Sequence, residues 1–329
     1  MKKYNSIDLF KIFMAVFVVA IHTQPFIEKK YYLYSLIIRS AVPFFFMCSG
    51  YLLYSKIEVS NDDYRIVILN YVKKIAQLYL IWSIIYLPIT IYSFIIHKHS
   101  FFNFFKIISG YLLKGEQYYS WPLWYLLCTV YSLLLLLFFK KIKLRNKYIF
   151  LISFVFLIIG ELYTFYISNI DLYSGLLYQI FKVLRVLFGG SGGRLFQGLF
   201  YICFGILIKK KKLKVNKYLA FVMMLFVIVI NYFLKFFLLK VLFDVFVFIW
   251  CINISLKDNF IYYYFRKSSS IIYFTHMLFF FIYTLIVGYD KCKGLGGFLA
   301  TILCCILICF ILLFFNRKRK LKFFNHLFS

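Results

Sequence analysis

Acidic residues are scarce in this chain, and polar residues are too few to cover a water-soluble fold. Of 329 residues, 11 are Asp or Glu, whereas apolar residue types make up 64%. A soluble globular protein carries roughly 45–50% apolar residues, so a single domain of this size cannot bury such an excess. The 4 prolines also leave long apolar runs without helix breakers. We therefore predict that most of the surface faces lipid.

Metal-binding motifs are also missing. The 8 cysteines include no CxxC pair and no Cys/His cluster with the spacing of metal ligands. Six of them lie within apolar runs, where a thiol packs as a small apolar side chain: Cys128, Cys203, Cys251, Cys304, Cys305 and Cys309. We expect no metal site and no permanently bound cofactor. The first apolar run lacks the small-residue cleavage site of a signal peptide, so we expect it to remain as a membrane helix.

Ten stretches are apolar and long enough to cross a membrane, since a helix needs about 20 apolar residues to span the hydrocarbon core. They lie near residues 7–27, 36–55, 75–96, 121–139, 148–167, 195–208, 218–234, 241–256, 268–287 and 297–315. Segments 61–74 and 172–188 are typical of surface helices, the second being interfacial or re-entrant. We predict an all-α integral membrane protein with about ten transmembrane helices. It forms a single polytopic domain over residues 1–329 without a separate soluble domain.

The 39 basic residues lie mostly in short clusters between the apolar runs. With a cytoplasmic N-terminus, 25 of them fall in inner segments and 12 in outer segments, which agrees with the positive-inside rule. We therefore predict that both termini are cytoplasmic, in the plasma or inner membrane of a bacterial-type cell. The same clusters on a soluble chain would indicate nucleic-acid binding, but here they are explained as flanks that fix orientation.

Polar residues within membrane helices are costly and are therefore candidates for function. In the first run, Asp8, Lys11 and His22 share one helical face, because their spacings are close to whole numbers of turns. Asp8 and His22 are separated by about 21 Å along the axis, which excludes a dyad between them. We expect an Asp8–Lys11 pair at the cytoplasmic end. The alternatives are that Asp8 and Lys11 only anchor the interface and that His22 is structural.

The second run places Arg39 near its outer end, at about the depth of His22. The alternative to a functional role is that its side chain snorkels to the interface. Pro43 removes a helix hydrogen bond and favours a kink. Ser49 and Gly50 permit close helix packing.

Three stretches of the sequence carry a resemblance to a known family. They are Asp8-Leu-Phe-Lys11 with His22 and Arg39-x-x-Val42-Pro43-x-Phe45-Phe46-x-x-Ser49-Gly50-Tyr51, then Trp121-Pro-Leu-Trp124-Tyr125-Leu126, then Ser270-Ile-Ile-Tyr273-Phe-Thr-His276. In this order they resemble the motifs of the acyltransferase type 3 family of membrane O-acyltransferases. The first stretch is specific and the later two are weaker. The family usually has Arg where Lys11 stands, which puts a bidentate role for that position in doubt.

The resemblance implies a ten-helix fold that takes an acyl group, often acetyl, from cytoplasmic acyl-CoA. It implies as acceptor a hydroxyl of a cell-surface glycan or of its lipid-linked precursor. The matched positions Lys11, His22 and Arg39 are where the functional residues of the family would fall. Acyl-CoA, the saccharide acceptor and membrane lipid are thus the expected partners, and nucleic acid is not.

The chemistry of acyl transfer fits these residues independently. A histidine suits the removal of a hydroxyl proton near neutral pH, so His22 is the candidate base, and it is equally a candidate for a transient acyl-histidine. Arg39 is the candidate for the charge beside the developing oxyanion. The phosphates of acyl-CoA need cations at the cytoplasmic mouth, for which Lys11, Lys73 and Lys74 are candidates, beside Asp8.

Three later residues are weaker candidates for binding substrate. Trp124 and Tyr125 suit a stacking platform for a sugar, the alternative being an aromatic belt at the interface. His276 either binds a substrate or is structural. We expect Glu161 and Asp244 to be partners of basic groups.

Two other functions are alternatives to acyl transfer. A transporter or flippase of lipid-linked glycans would use the intramembrane polar residues as a path, but the paired, interrupted half-helices typical of such folds are not found in the sequence. A membrane glycosyltransferase would need an acidic metal-binding pair in an outer loop, which the sequence does not show.

Overall fold

The computed structural model describes residues 4–26, 31–60, 62–96, 107–172, 174–189, 193–319 and 327–328. These residues form helices and connecting turns and contain no strand, which confirms the all-α prediction. The helices α1 to α12 are Asn5–Thr23, Tyr32–Arg39, Ala41–Val59, Tyr64–Ile96, Trp124–Lys141, Asn146–Ser168, Gly175–Phe188, Gly193–Lys211, Lys217–Leu234, Phe237–Asn253, Ile261–Val287 and Leu295–Arg319.

Each of the ten apolar runs corresponds to a helix in the described chain. By length and composition, eight stretches of the described residues qualify as membrane spans, with α2 and α3 forming one of them. The other two runs correspond to α8, which ends in three lysines, and to α10, which has 17 residues. A multi-pass membrane protein is thus shown, while the count of ten crossings and the cytoplasmic termini stay predictions.

The second apolar run is divided at Ser40, which separates α2 from α3. Proline has no N–H, so Pro43 leaves the carbonyl of Arg39 without its helical donor. At the break the chain turns more tightly, and the Ser40 amide bonds the carbonyl of Ile37, three residues back, at 3.2 Å. Pro43 therefore lies in the first turn of α3, where a missing N–H costs little.

The prediction of a separate surface helix at 61–74 is wrong. Helix α4 is continuous over 33 residues and includes most of that segment. At 1.5 Å per residue its length is about 50 Å, well beyond the hydrocarbon thickness of about 30 Å. The second surface segment is helical as predicted, since α7 covers Gly175–Phe188.

The described helices group into two compact units, and the boundary falls inside α3. The first unit contains residues 1–45 and 213–329. In it α1 packs against α2, α10, α11 and α12, and α9 packs against α10. An aromatic cluster forms its core, because the Phe44 ring lies 6.1 Å from Phe10 and 5.7 Å from Phe248. The single-domain prediction over 1–329 stays a prediction.

The second unit contains residues 46–212, and two glycines bring two of its helices into contact. A Cβ atom added to Gly205 of α8 would lie 2.2 Å from the backbone oxygen of Met47 in α3. A Cβ added to Gly50 of α3 would lie 2.0 Å from the backbone oxygen of Ile202. Both distances are far below contact, so the backbones approach as closely as small residues allow, as expected for Gly50.

We predict that Gly205→Ala destabilises the protein, because the added methyl group must push two backbones apart. Overpacking of this kind costs about 1–3 kcal/mol. The measurement is the apparent melting temperature of the detergent-solubilised protein. Gly296→Ala is the matched control, since its methyl group would meet only the Tyr283 hydroxyl, at 3.1 Å. Equal melting temperatures for the two variants would contradict the close α3–α8 contact.

Candidate functional site

Two pairs of side chains join α1 to α11 within the first unit. Asp8 pairs with Arg266, and His22 lies beside His276. The two contacts follow the same order along both helices, so α1 and α11 run in the same direction. This is the relative direction that the predicted first and ninth crossings require.

The first pair neutralises a buried carboxylate. Asp8 is 4% exposed, and the Arg266 Nε donates to both of its oxygens at 3.1 Å. The Arg266 Nη2 lies 2.8 Å from Asp8 Oδ2. Charge-assisted contacts of this planar kind are the strongest hydrogen bonds that side chains make. The guanidinium therefore binds Asp8 through two nitrogens.

The expected Asp8–Lys11 pair is replaced by this one. Among the described residues, the ion pair of Asp8 is with Arg266. Lys11 is half-buried, about one turn further along α1. Arg266 is not among the residues predicted for the site, because it precedes the apolar run near 268–287 and lies in a basic cluster assigned to orientation. The only signal for it was the cost of leaving Asp8 without a cation in the membrane.

A further hydrogen bond fastens the start of α1. Asn5 Nδ2 donates to Asp258 Oδ1 at 2.7 Å, in the segment that leads into α11. The start of α1 is therefore held by two contacts to carboxylates or cations, one with the segment that precedes α11 and one with α11 itself. Part of the Arg266 side chain remains accessible, since 46% of it is exposed.

The histidine pair lies at the other end of α1. The ring centroids of His22 and His276 are 5.4 Å apart. His276 is completely buried, and its Nδ1 lies 2.9 Å from the carbonyl oxygen of Ile272 in its own helix. A carbonyl only accepts, so Nδ1 must carry a proton, and Nε2 is the basic nitrogen of the neutral ring.

The Nε2 atom of His276 is buried and has no hydrogen-bond partner among the described residues. Buried polar side-chain atoms are nearly always paired, and a catalytic role is one of the reasons for an exception. No group of three or more His, Cys, Asp and Glu side chains that could hold a metal ion occurs in the described chain. A basic nitrogen beside a second imidazole is suited to proton transfer.

Arg39 is the last residue of α2, the helix that packs against α1. Its side chain is exposed, as both a functional arginine at a site mouth and a snorkelling arginine would be. Asp244 of α10 is 1% exposed. The first unit thus contains the two histidines, Arg39 and Lys11 together with the Asp8–Arg266 pair.

The remaining candidates belong to the second unit. The Tyr125 hydroxyl lies 2.8 Å from Ser49 Oγ, and the Tyr125 ring lies 4.6 Å from the Phe46 ring. Trp124 contacts the same Phe46 ring at 6.1 Å. These contacts tie α5 to α3, so Tyr125 is a residue of helix packing rather than of a lipid-facing belt.

Three other residues of the second unit have simpler surroundings. Lys73 and Lys74 lie on α4, and both side chains are exposed. Glu161 accepts a hydrogen bond from Gln197 Nε2 at 3.2 Å. Its partner among the described residues is therefore an amide rather than the expected basic group.

Comparison with known proteins gives one match that covers nearly the whole chain. A family model described as "Acyltransferase domain" matches residues 4–314. The chain is 30% identical over 226 residues to a "Serine/alanine racemase" of Enterococcus gallinarum, which is 64% of this chain and 30% of that protein. It is 27% identical over 214 residues to an "Amino-acid racemase" of Enterococcus faecalis, which is 62% of this chain and 28% of that protein. The chain thus spans less than a third of these relatives, and no solved structure matches it.

We predict a strong coupling between Asp8 and Arg266. Arg266→Ala leaves a buried carboxylate without its cation, so it should destabilise the protein more than Asp8→Ala. The double variant should recover part of the loss, with a coupling of about 0.5–3 kcal/mol, as expected for residues in direct contact. Denaturant titration of the four proteins in one detergent measures it. Additive effects of the two substitutions would show that the pair does not hold the helices together.

Proposed function

The chain belongs to the acyltransferase family whose model it matches and is a membrane acyltransferase, and we propose that it acylates a saccharide at the cell surface. The donor is acyl-CoA, most simply acetyl-CoA, on the cytoplasmic side. The acceptor is a hydroxyl of a cell-surface glycan or of a lipid-linked saccharide. The membrane is the plasma or inner membrane of a bacterial-type cell.

The observation that carries this proposal is the histidine pair. We assign His22 as the base, because its ring is half-buried and lies beside His276, whose Nε2 has no partner among the described residues. Two imidazolium rings 5.4 Å apart in a low-dielectric interior would repel each other, so the uptake of an extra proton by one ring disfavours uptake by the other. His276 acts through His22 and is a positioning residue.

The proposed reaction consists of attack by the acceptor hydroxyl and release of CoA. His22 takes the proton of the acceptor hydroxyl while the oxygen attacks the carbonyl carbon of the thioester. The tetrahedral intermediate carries its negative charge on the former carbonyl oxygen, and we assign the guanidinium of Arg39 to stabilise it. The carbon–sulfur bond breaks, and the thiolate takes the proton from His22. The products are an O-acyl saccharide and free CoA.

The donor phosphates are assigned to the cytoplasmic end of the same helix. A bare carboxylate at Asp8 would repel phosphate, but Arg266 neutralises it and leaves the charge of Lys11 for the donor. Lys73 and Lys74, which are exposed, belong to the second unit and stay candidates from the sequence. Asp8 and His22 are about 21 Å apart along α1, which suits a donor with phosphates at the inner face and a thioester near the outer end.

Labelled acetyl-CoA, incubated with the purified protein and a glycolipid extract, tests the proposal and the role of His22 together. We expect labelled glycolipid from the wild type and a loss of about 10² or more for His22→Ala, the typical range for a catalytic base. His276→Ala should also lower the rate, by about tenfold. Thr284→Ala is the matched control, since Thr284 is buried on the same helix and bonds only the Phe280 carbonyl there.

Three outcomes of this assay would contradict parts of the proposal. Wild-type protein that transfers no label from acetyl-CoA to any glycolipid would contradict the donor and acceptor classes. A His22→Ala protein that folds normally and stays within a few-fold of the wild type would make His22 a structural residue. Glycolipid that moves across vesicles without being labelled would favour the transporter instead.

The two ends of α1 should respond differently to substitution. Lys11→Ala should mainly raise the KM for acyl-CoA, because it removes binding that is felt alike in ground and transition states. Lys11→Arg should be tolerated. Arg39→Lys keeps the charge but loses the planar fork, so kcat should fall even at saturating donor. Steady-state kinetics of the three variants check this, and a normal kcat for Arg39→Lys would remove Arg39 from the site.

A further inference from the structure

A cavity of about 490 Å³ lies within the second unit, apart from the residues assigned to catalysis. It is lined by residues of α3, α4, α5, α6 and α8 and of the turn between α5 and α6. His22, Arg39 and His276 belong to the first unit and do not line it. The volume is in the range of sites that hold small molecules.

The polar part of this cavity is strongly basic. Lys140, Lys143 and Lys210 line it, and none of its lining residues is acidic. The carboxylate nearest in sequence to the lining residue Ile57 is Glu58, which pairs with Lys209 at 2.8 Å. Lys140 donates a hydrogen bond to Asn146, which also lines the cavity. Three ammonium groups without a carboxylate in the lining indicate a ligand with negative charge.

The rest of the lining is mainly apolar. Eight of the 15 lining residues are Ile, Leu or Phe, and Tyr54 and Tyr64 add two aromatic rings. Ile149 and Ile68 are 3% exposed and provide a dry wall. A ligand that fills this cavity must therefore combine a negatively charged group with a hydrocarbon part.

The position of the cavity along the membrane follows from the predicted topology. Its lining residues come from 54–68, 136–150 and 203–210, which flank or lie in the segments 56–74, 140–147 and 209–217, predicted to be cytoplasmic. On that topology the cavity lies at the level where headgroups of the inner leaflet meet acyl chains. Clusters of lysine at this depth attract anionic lipid.

We propose that this cavity binds one phospholipid with a net negative headgroup from the cytoplasmic leaflet. The phosphodiester contacts Lys140, Lys143 and Lys210, and the glycerol and upper acyl chain lie against the apolar wall. The acyl-CoA donor shares the phosphate chemistry, but its ribose and adenine would place many polar groups against side chains that cannot bond them. The lipid is a ligand that stays bound between these helices, and the donor candidates Lys11, Lys73 and Lys74 do not line the cavity.

Native mass spectrometry of the full-length, delipidated protein in detergent tests the proposal. Dioleoyl-phosphatidylglycerol should bind saturably, with one copy held much more tightly than the rest. Dioleoyl-phosphatidylcholine should bind at least about tenfold more weakly, because its headgroup has no net charge. Inorganic phosphate and coenzyme A are the two further probes, and neither should displace the tight lipid at equal concentration.

Neighbouring lysines provide a matched pair of variants. Lys140→Gln with Lys210→Gln removes two charges from the cavity and should weaken the tight lipid about tenfold or more. Lys141→Gln with Lys211→Gln removes two adjacent, exposed charges that do not line the cavity and should leave the affinity within about twofold. Lys143→Gly removes a third charge from the cavity. It should not impair folding, because Lys143 has a φ of 57°, which glycine adopts without strain.

Three results would overturn the assignment. Equal loss of affinity in the two double variants would mean general attraction to a basic surface. Equally tight binding of phosphatidylcholine would mean an apolar pocket without headgroup recognition. Displacement by coenzyme A that is lost in the Lys140→Gln, Lys210→Gln variant would mean a donor site. None of these measurements needs acyl transfer, so their outcome is independent of the proposed enzyme activity.

Discussion

A carboxylate buried near the end of a membrane helix is costly unless a cation neutralises it and hydrogen bonds occupy its lone pairs. Asp8 is 4% exposed and needs such a partner, and Arg266 meets both needs with nitrogens at 2.8 and 3.1 Å. The Asp8–Arg266 ion pair fixes the position of α11 along the axis of α1. The organisation of the first unit, and of the chemistry proposed for it, follows from that register.

The register has its consequence at the other end of the same two helices. With Asp8 held by Arg266, His22 lies beside His276, whose basic nitrogen is buried without a partner among the described residues. Charge and acid–base chemistry are thereby separated along α1 by about 21 Å. A donor with phosphates at one end and a thioester at the other matches this separation of charged and acid–base residues. A transporter that only needs a polar path through the membrane would not require it.

The sequence predicted the helical class and the position of the apolar runs well, because the need for about 20 apolar residues is a strong constraint. It predicted a kink at Pro43 but not the break at Ser40, and it did not predict that α4 continues through most of 61–74. Residue periodicity places Asp8, Lys11 and His22 on one face but carries no information about which residue of another helix meets them. For that reason Arg266 was missed, His276 was left undecided, and the lysines around the cavity were counted only as orientation flanks.

The sidedness of the reaction tests the central claim most directly, namely that an acyl group passes from a cytoplasmic donor to an acceptor at the opposite face. The full-length protein would be reconstituted into sealed vesicles, with labelled acetyl-CoA outside and the saccharide acceptor enclosed in the lumen. We expect labelled saccharide in the lumen, and little product when donor and acceptor are both outside. Product that forms only when the two substrates share one compartment would contradict transfer from a donor bound near Lys11 to an acceptor near His22.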